Sequence, residues 1–139
     1  MRSPKALLPA RSLRHGISAE ILQDRSFSEV LDAALDVHNG LGPGHLDKTY
    51  QNALCVELSR RGRVVHREPT FSVMYKNQVV GTYVADVLVD ERVLVKVTAL
   101  AGLNAESKTD TLRGLVAGGV KVGVLFNFAL PELFFARIL

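Results

Sequence analysis

The sequence predicts an α/β domain: a mixed β-sheet, made of antiparallel hairpins and one late central strand, flanked by helices. Three observations predict it. Two early segments, 27–39 and 46–61, repeat apolar residues at helical spacing. The middle of the chain is rich in β-branched residues and is broken by short polar turns. A continuous apolar run, 121–128, follows a further helical segment and lies between glycine and Pro131, as a buried strand would. The length of 139 residues, 47% of them hydrophobic and 22% charged, suffices for one packed core and argues against general disorder.

The first helix places Phe27, Val30, Leu31, Ala34 and Leu35 on one stripe, with Ser26 or Ser28 as its cap and Gly40 as its left-handed stop. "GLGPG", 40–44, is a tight connection. The second helix lines up Leu46, Tyr50, Ala53, Leu54 and Leu58, then ends in Arg60, Arg61 and Gly62. Cations in a last turn suit the helix dipole, so these arginines have a structural reason to be there. With Arg63 and Arg67 they also form a candidate nucleic-acid face. "RVVH" and "TFSVMY" follow as strands, and "KNQ" turns the chain into "VVGTYVADVLV". A second hairpin leads into "RVLVKVTAL". Residues 105–117 read as a helix, "KVGVLFNF" as the central strand and "LFFARIL" as a last element. Gly118 and Gly119 read as turn residues between that helix and that strand.

Charge separates two regions. Residues 1–25 carry five basic and two acidic side chains, which is the whole net charge of +3; residues 26–139 hold 12 of each. The expected organisation is a basic N-terminal tail, 1–25, and one domain, 26–139. One cysteine excludes an intrachain disulfide framework and a cysteine-built zinc site, and makes the cytoplasm the default compartment. No apolar run reaches the ~18 residues of a membrane span. The four histidines have no metal-ligand spacing, and "GLGPG" lacks the Lys-Ser/Thr of a phosphate loop.

The informative stretch is 84–99, "VADVLVDERVLVKVTA". A three-residue loop, Asp90, Glu91 and Arg92, sets Val89 against Val93, Val87 against Val95 and Asp86 against Lys96. Strand side chains alternate, so Val87, Val89, Val93, Val95 and Val97 share a core face. Asp86, Leu88, Leu94, Lys96 and Thr98 share the other. Charges in the interior of an apolar sheet must be paired, hydrated or coordinated. Two readings fit: an active-site floor, or a cross-strand ion pair between Asp86 and Lys96.

"GPGHLDKTYQNAL" resembles the motif that names the GxxExxY proteins, with Gly44, Asp47 and Tyr50 in its fixed places. "LDVHNGLGPG", "YVADVLVDERVLVKVTAL" and "GVKVGVLFNF" resemble its flanking blocks, in the same order and over about residues 18–139. That family is placed among the PD-(D/E)xK nuclease-like proteins, so the resemblance implies a restriction-endonuclease-like mixed sheet flanked by helices. In active members a helix glutamate, a strand aspartate and an E-x-K pair bind Mg²⁺ and activate water. Magnesium takes oxygen ligands and lowers the pKa of bound water.

This chain departs where that chemistry sits. The helix glutamate is Asp47 and the strand aspartate is Asp86, but Lys96 and Thr98 replace the E-x-K pair. Glutamine and tyrosine positions of the late helix fall on Asp110 and Gly114. An ammonium has no lone pair for a metal. The expectation is therefore a remnant site, Asp47, Asp86 and Lys96, with Lys96 paired to Asp86 in the metal's electrostatic role. No metal or other cofactor is expected; Mg²⁺ or Mn²⁺ at Asp47 and Asp86 would accompany activity. Three functions follow. The first is a catalytically degenerate nuclease-like domain that retains nucleic-acid or protein binding. The second is an active Mg²⁺-dependent nuclease with a rearranged site and Glu106 as relocated ligand. The third is a structural module, a homodimer for instance, without nucleic-acid contact.

Overall fold

Helix α1 (Arg25–Leu41) buries Phe27, Val30, Leu31 and Ala34 of the predicted stripe; Leu35 is only partly buried and Val37 joins the core. The computed structural model describes residues 8–9, 25–100 and 105–138. The helix runs through Gly40 and stops at Gly42, whose positive φ of 72° lets its amide reach the His38 carbonyl at 2.8 Å. His38 keeps this extra turn in place: its ring is buried near Phe128 and its Nε2–H donates to the Leu130 carbonyl at 2.9 Å. Ser26 and Ser28 lie inside the helix rather than before it. Ser28 donates to the Arg25 carbonyl at 3.1 Å, and Ser26 to Asp90 at 2.8 Å.

Helix α2 (Asp47–Arg60) buries Tyr50, Leu54 and Leu58 against α1 and the sheet. Leu46 leaves the expected stripe; it is the exposed N-cap, with extended backbone. The strands are β1 (Leu8–Pro9), β2 (Val65–Arg67), β3 (Thr70–Tyr75), β4 (Gln78–Val84), β5 (Val87–Val89), β6 (Val93–Thr98), β7 (Val122–Asn127) and β8 (Phe134–Ile138), with α3 (Ala105–Gly118) between β6 and β7. The main sheet has the order β1-β8-β7-β6-β5-β2. Only β6 and β7 run parallel, joined by the α3 crossover. Of the N-terminal 25 residues, Leu8–Pro9 and Arg25 are described. Arg2, Lys5, Arg11 and Arg14 of the expected basic tail lie outside the described residues.

The β5–β6 hairpin has the expected three-residue turn and register: Val89 against Val93, Leu88 against Leu94, Val87 against Val95. Its valine face packs under α1 and α2, together with Tyr50, Phe126 and Phe128. The opposite face carries Leu88 and Leu94 against Leu115 of α3 and Phe71 and Tyr83 of the β3–β4 hairpin.

"VVGTYVADVLV" is one register but not one strand. β2 pairs with β5, and β3 with β4, in a common antiparallel frame. Between them the Glu68 amide bonds the Asp86 carbonyl (2.8 Å) and the Ala85 amide bonds the Pro69 carbonyl (3.0 Å). The ribbon bends at this junction, so the ladder is assigned as two sheets. Glu68 has a positive φ of 49°, and Pro69 has no amide proton to donate, which ends regular pairing there. The bend carries β3 and β4 over to α3. Two helix glycines receive them: a Cβ at Gly114 would lie 2.6 Å from Tyr83 Cε1, and one at Gly118 would lie 2.7 Å from Phe71 Cε2. Gly118 is therefore a ring socket, and Gly119, with φ 65°, makes the turn.

Candidate functional site

The loop after α1 presents the start of α2 to the C-terminal end of β6. Gly42 and Gly44 both take positive φ (72° and 109°), conformations that an L side chain rarely adopts. Tyr50 fixes the loop from below. Its ring is fully buried and stacks on Phe128, centroids 4.5 Å apart; its hydroxyl donates to the Gly42 carbonyl and accepts from the His45 amide (3.2 Å). Gly44 and Tyr50 thus shape the loop, and Asp47 is what the loop displays.

Asp47 lines an open cleft of about 340 Å³ with His45, Leu46, Lys96, Thr98 and Ser107. Asp86 stands at the ribbon bend behind the cleft wall. Its Oδ2 accepts the Val97 amide at 2.8 Å. That amide has no ladder partner once the ribbon leaves the sheet, so the carboxylate completes the pairing that β5 abandons. Burial pushes the Asp86 pKa above its ordinary value. The Val97 bond and the charge of Lys96 pull the other way, while Asp47 and Asp110 reinforce the rise.

The expected Asp86–Lys96 ion pair does not form. Lys96 Nζ lies 3.2 Å from Asp110 Oδ2 on α3, and the Tyr83 hydroxyl donates to the same oxygen at 3.0 Å. The Asp86 carboxylate faces the backbone of β6, so it is turned away, whereas α3 brings Asp110 over the outer face of the strand. Burial and the bond to Asp110 both raise the Tyr83 phenol pKa. The two late-helix departures, Asp110 and Gly114, meet here: Asp110 answers the Lys96 charge, and Gly114 leaves room for the Tyr83 ring.

Thr98 donates its hydroxyl proton to the Phe126 carbonyl at 2.7 Å and is buried. It ties β6 to β7. Glu106 lies in the first turn of α3, but among the described residues the helix contributes Ser107 to the cleft and Asp110 to Lys96. Glu91 sits in the β5–β6 turn, 3.4 Å from His66. Among the described residues no group of three or more His, Cys, Asp or Glu is disposed to hold a metal ion.

Sequence reasoning missed a second charged group beside Asp86. Lys48 pairs with Glu68, which also accepts from Gln51 at 3.4 Å; the buried Gln51 amide further donates to the Asp86 carbonyl at 3.2 Å. The Glu68 bond raises the Lys48 pKa, and the Lys48 bond lowers that of Glu68. The signal lay in Glu68-Pro69, a bend in mid-ribbon, but only the fold brings it beside α2. Around Asp86 the charges are then the carboxylates Asp47, Glu68, Asp86 and Asp110 and the cations Lys48 and Lys96, with Arg67 beside Glu68 and Arg113 beside Asp110.

Two members of the arginine cluster, Arg61 and Arg63, are engaged by carboxylates within the fold. Arg61 binds Glu29, Asp36 and Glu57, which joins α2 to α1; Arg63 pairs with Asp90 at 3.1 Å; Arg67 bonds Asn52. The expected nucleic-acid face is thereby reduced to Arg60 and Arg67.

Comparison with curated proteins and with solved structures returns no match. A model of the PD-(D/E)XK nuclease superfamily matches residues 24–138, which is nearly the whole described chain. It covers strands β2–β8, the flanking helices and the cleft between α2, β6 and α3, and this chain belongs to the PD-(D/E)XK nuclease superfamily.

Proposed function

We propose that this chain is a catalytically silent superfamily member of the GxxExxY type, whose cleft serves binding rather than phosphodiester hydrolysis. One observation carries the reading: the position of the E-x-K glutamate holds Lys96, and Asp110 neutralises it at 3.2 Å. A metal-binding carboxylate at that position would attract a divalent cation. The ammonium has no lone pair to offer one. Thr98 stands for the lysine and spends its proton on a backbone carbonyl. Asp47 and Asp86 remain as oxygen donors, so the residues present do not fit the three-carboxylate site that the superfamily resemblance implies.

A second reading, an active Mg²⁺-dependent nuclease with a rearranged site, draws on one observation: among the described residues Lys96 pairs with Asp110 and not with Asp86, whose Oδ1 is left beside the one oxygen that accepts the Val97 amide. Isothermal titration with Mg²⁺ and Mn²⁺ separates the two. The first reading predicts no saturable heat into the millimolar range. Saturable binding that disappears in Asp86→Ala would establish the second.

A further inference from the structure

Strand β2 ends the main sheet, and among the described residues its outer edge is unpaired. Two bonds show which residues face that edge. The Asp90 amide bonds the Val64 carbonyl and the Glu68 amide bonds the Asp86 carbonyl, each at 2.8 Å, so Val64 and Glu68 turn their backbone toward β5. Antiparallel pairing alternates, so Val65 and Arg67 turn their amides and carbonyls outward. The side chains of these two residues lie on the α2 face of the sheet, beside those of Val89 and Val87. There the strand and the second half of α2 flank an open groove of about 320 Å³. Its inner side is apolar, with buried Cys55 and half-buried Val65, and exposed Val56 stands at its rim.

Two lining residues are charged, Arg60 and Arg67, and no carboxylate lines the groove. Among the described residues Arg60 has no partner. The end of α2 does not use its side chain: the Arg61, Gly62 and Arg63 amides already serve the Glu57, Leu58 and Ser59 carbonyls. Arg67 bonds the neutral Asn52 side chain, and Glu68 beside it is held by Lys48.

We propose that this groove docks an extended acidic segment of a partner protein, which adds to β2 as a new edge strand. Main-chain bonds run to Val65 and Arg67, an apolar side chain covers Cys55 and Val65, and acidic side chains on either side of it meet Arg60 and Arg67. Three features favour this occupant. The groove offers two guanidinium groups and no opposing carboxylate. The outward amides and carbonyls match a peptide backbone, which a nucleic acid lacks. A short edge strand bearing arginine resists a second copy of itself by like charge, and the same charge attracts an acidic strand.

The groove lies away from the Asp47 end of α2, so the proposal stands apart from the state of the cleft. The probe is a fluorescein-labelled peptide, Glu-Thr-Val-Thr-Glu, whose alternation puts both glutamates and the valine on the α2 face. Fluorescence anisotropy with the full chain is expected to show saturable binding tighter than about 1 mM. The isomer Thr-Glu-Val-Glu-Thr has the same composition and charge but turns its glutamates away, and binds at least about tenfold more weakly. Arg60→Glu combined with Arg67→Glu removes binding of the first peptide, leaves the far-ultraviolet circular dichroism unchanged and gains binding of Lys-Thr-Val-Thr-Lys. No saturable binding overturns the proposal, and so does equal binding of the two isomers. Tighter binding of a single-stranded oligonucleotide to the same two arginines overturns it as well.

Discussion

Asp86 turns its carboxylate toward the Val97 amide and is half-buried, and this burial raises its pKa. Between the ordinary value of 3.8 and the raised native value, the native state holds more protons than the unfolded chain. Stability therefore falls as pH rises through that window, and the loss persists at neutral pH. Asp86→Asn can still accept the Val97 amide but carries no charge. It is expected to raise the melting temperature at pH 7, with the gain shrinking as pH falls through the raised native value and lost below the ordinary value of 3.8. A thermal-shift series across pH measures this, and an unchanged or lower melting temperature at pH 7 contradicts it. Tyr50 permits a different test. Tyr50→Phe keeps the stack on Phe128 but drops both hydroxyl bonds to the glycine loop, so it should destabilise by about 1 kcal/mol in urea unfolding. At this scale the sequence singled out Asp47, Asp86, Lys96 and Thr98; the structure sets Asp47, Lys96 and Thr98 along one cleft and gives Lys96 a different partner from the one expected. Strand alternation places Lys96 on the α3 face, yet whether Asp86 or Asp110 answers it depends on where the ribbon bends.

Among the elements, the bend at Glu68–Pro69 decides the architecture, since it takes β3 and β4 off the main sheet and onto α3. The helix meets them with glycines. Gly118→Ala would gain about 1 kcal/mol of helix propensity, but its Cβ would stand 2.7 Å from the Phe71 ring, and such overpacking costs roughly 1–3 kcal/mol. The net expectation is destabilisation in thermal unfolding, and a stabilised variant would show that the ring moves freely. The β5–β6 turn is tied just as firmly. Burial raises the Asp90 pKa, but the Val64 amide, the Ser26 hydroxyl and Arg63 outweigh it and hold the carboxylate below its ordinary range. Its contribution is present above the ordinary value of 3.8 and is lost as pH falls through the depressed native value. Asp90→Ala should cost about 2–3 kcal/mol at pH 7 and less in acid, measured by denaturant unfolding. The helices, the hairpin register and the central strand were legible from period and turn residues. The bend was not, because residues 79–89 carry no proline or turn dipeptide at Ala85–Asp86 and read as one strand. The helix stop was missed for a related reason: both Gly40 and Gly42 can take the left-handed position, and the His38 contacts choose between them.

Over the whole molecule, the net charge of +3 arises in residues 1–25, outside the neutral body, so the basic balance is not a property of the fold. Among the described residues no helix is long and apolar enough to cross a membrane. Within the body the charges are arranged in local pairs: Arg61 with three carboxylates, Lys48 with Glu68, Lys96 with Asp110. The fold is that of the superfamily; in the proposed reading Lys96, paired with Asp110, and the backbone-bonded Thr98 stand at the E-x-K positions. The most direct test is cleavage of plasmid and single-stranded DNA by the purified chain in Mn²⁺. The account predicts no cleavage above a metal-only control. Cleavage that disappears in Asp86→Ala and persists in Lys96→Ala would contradict it.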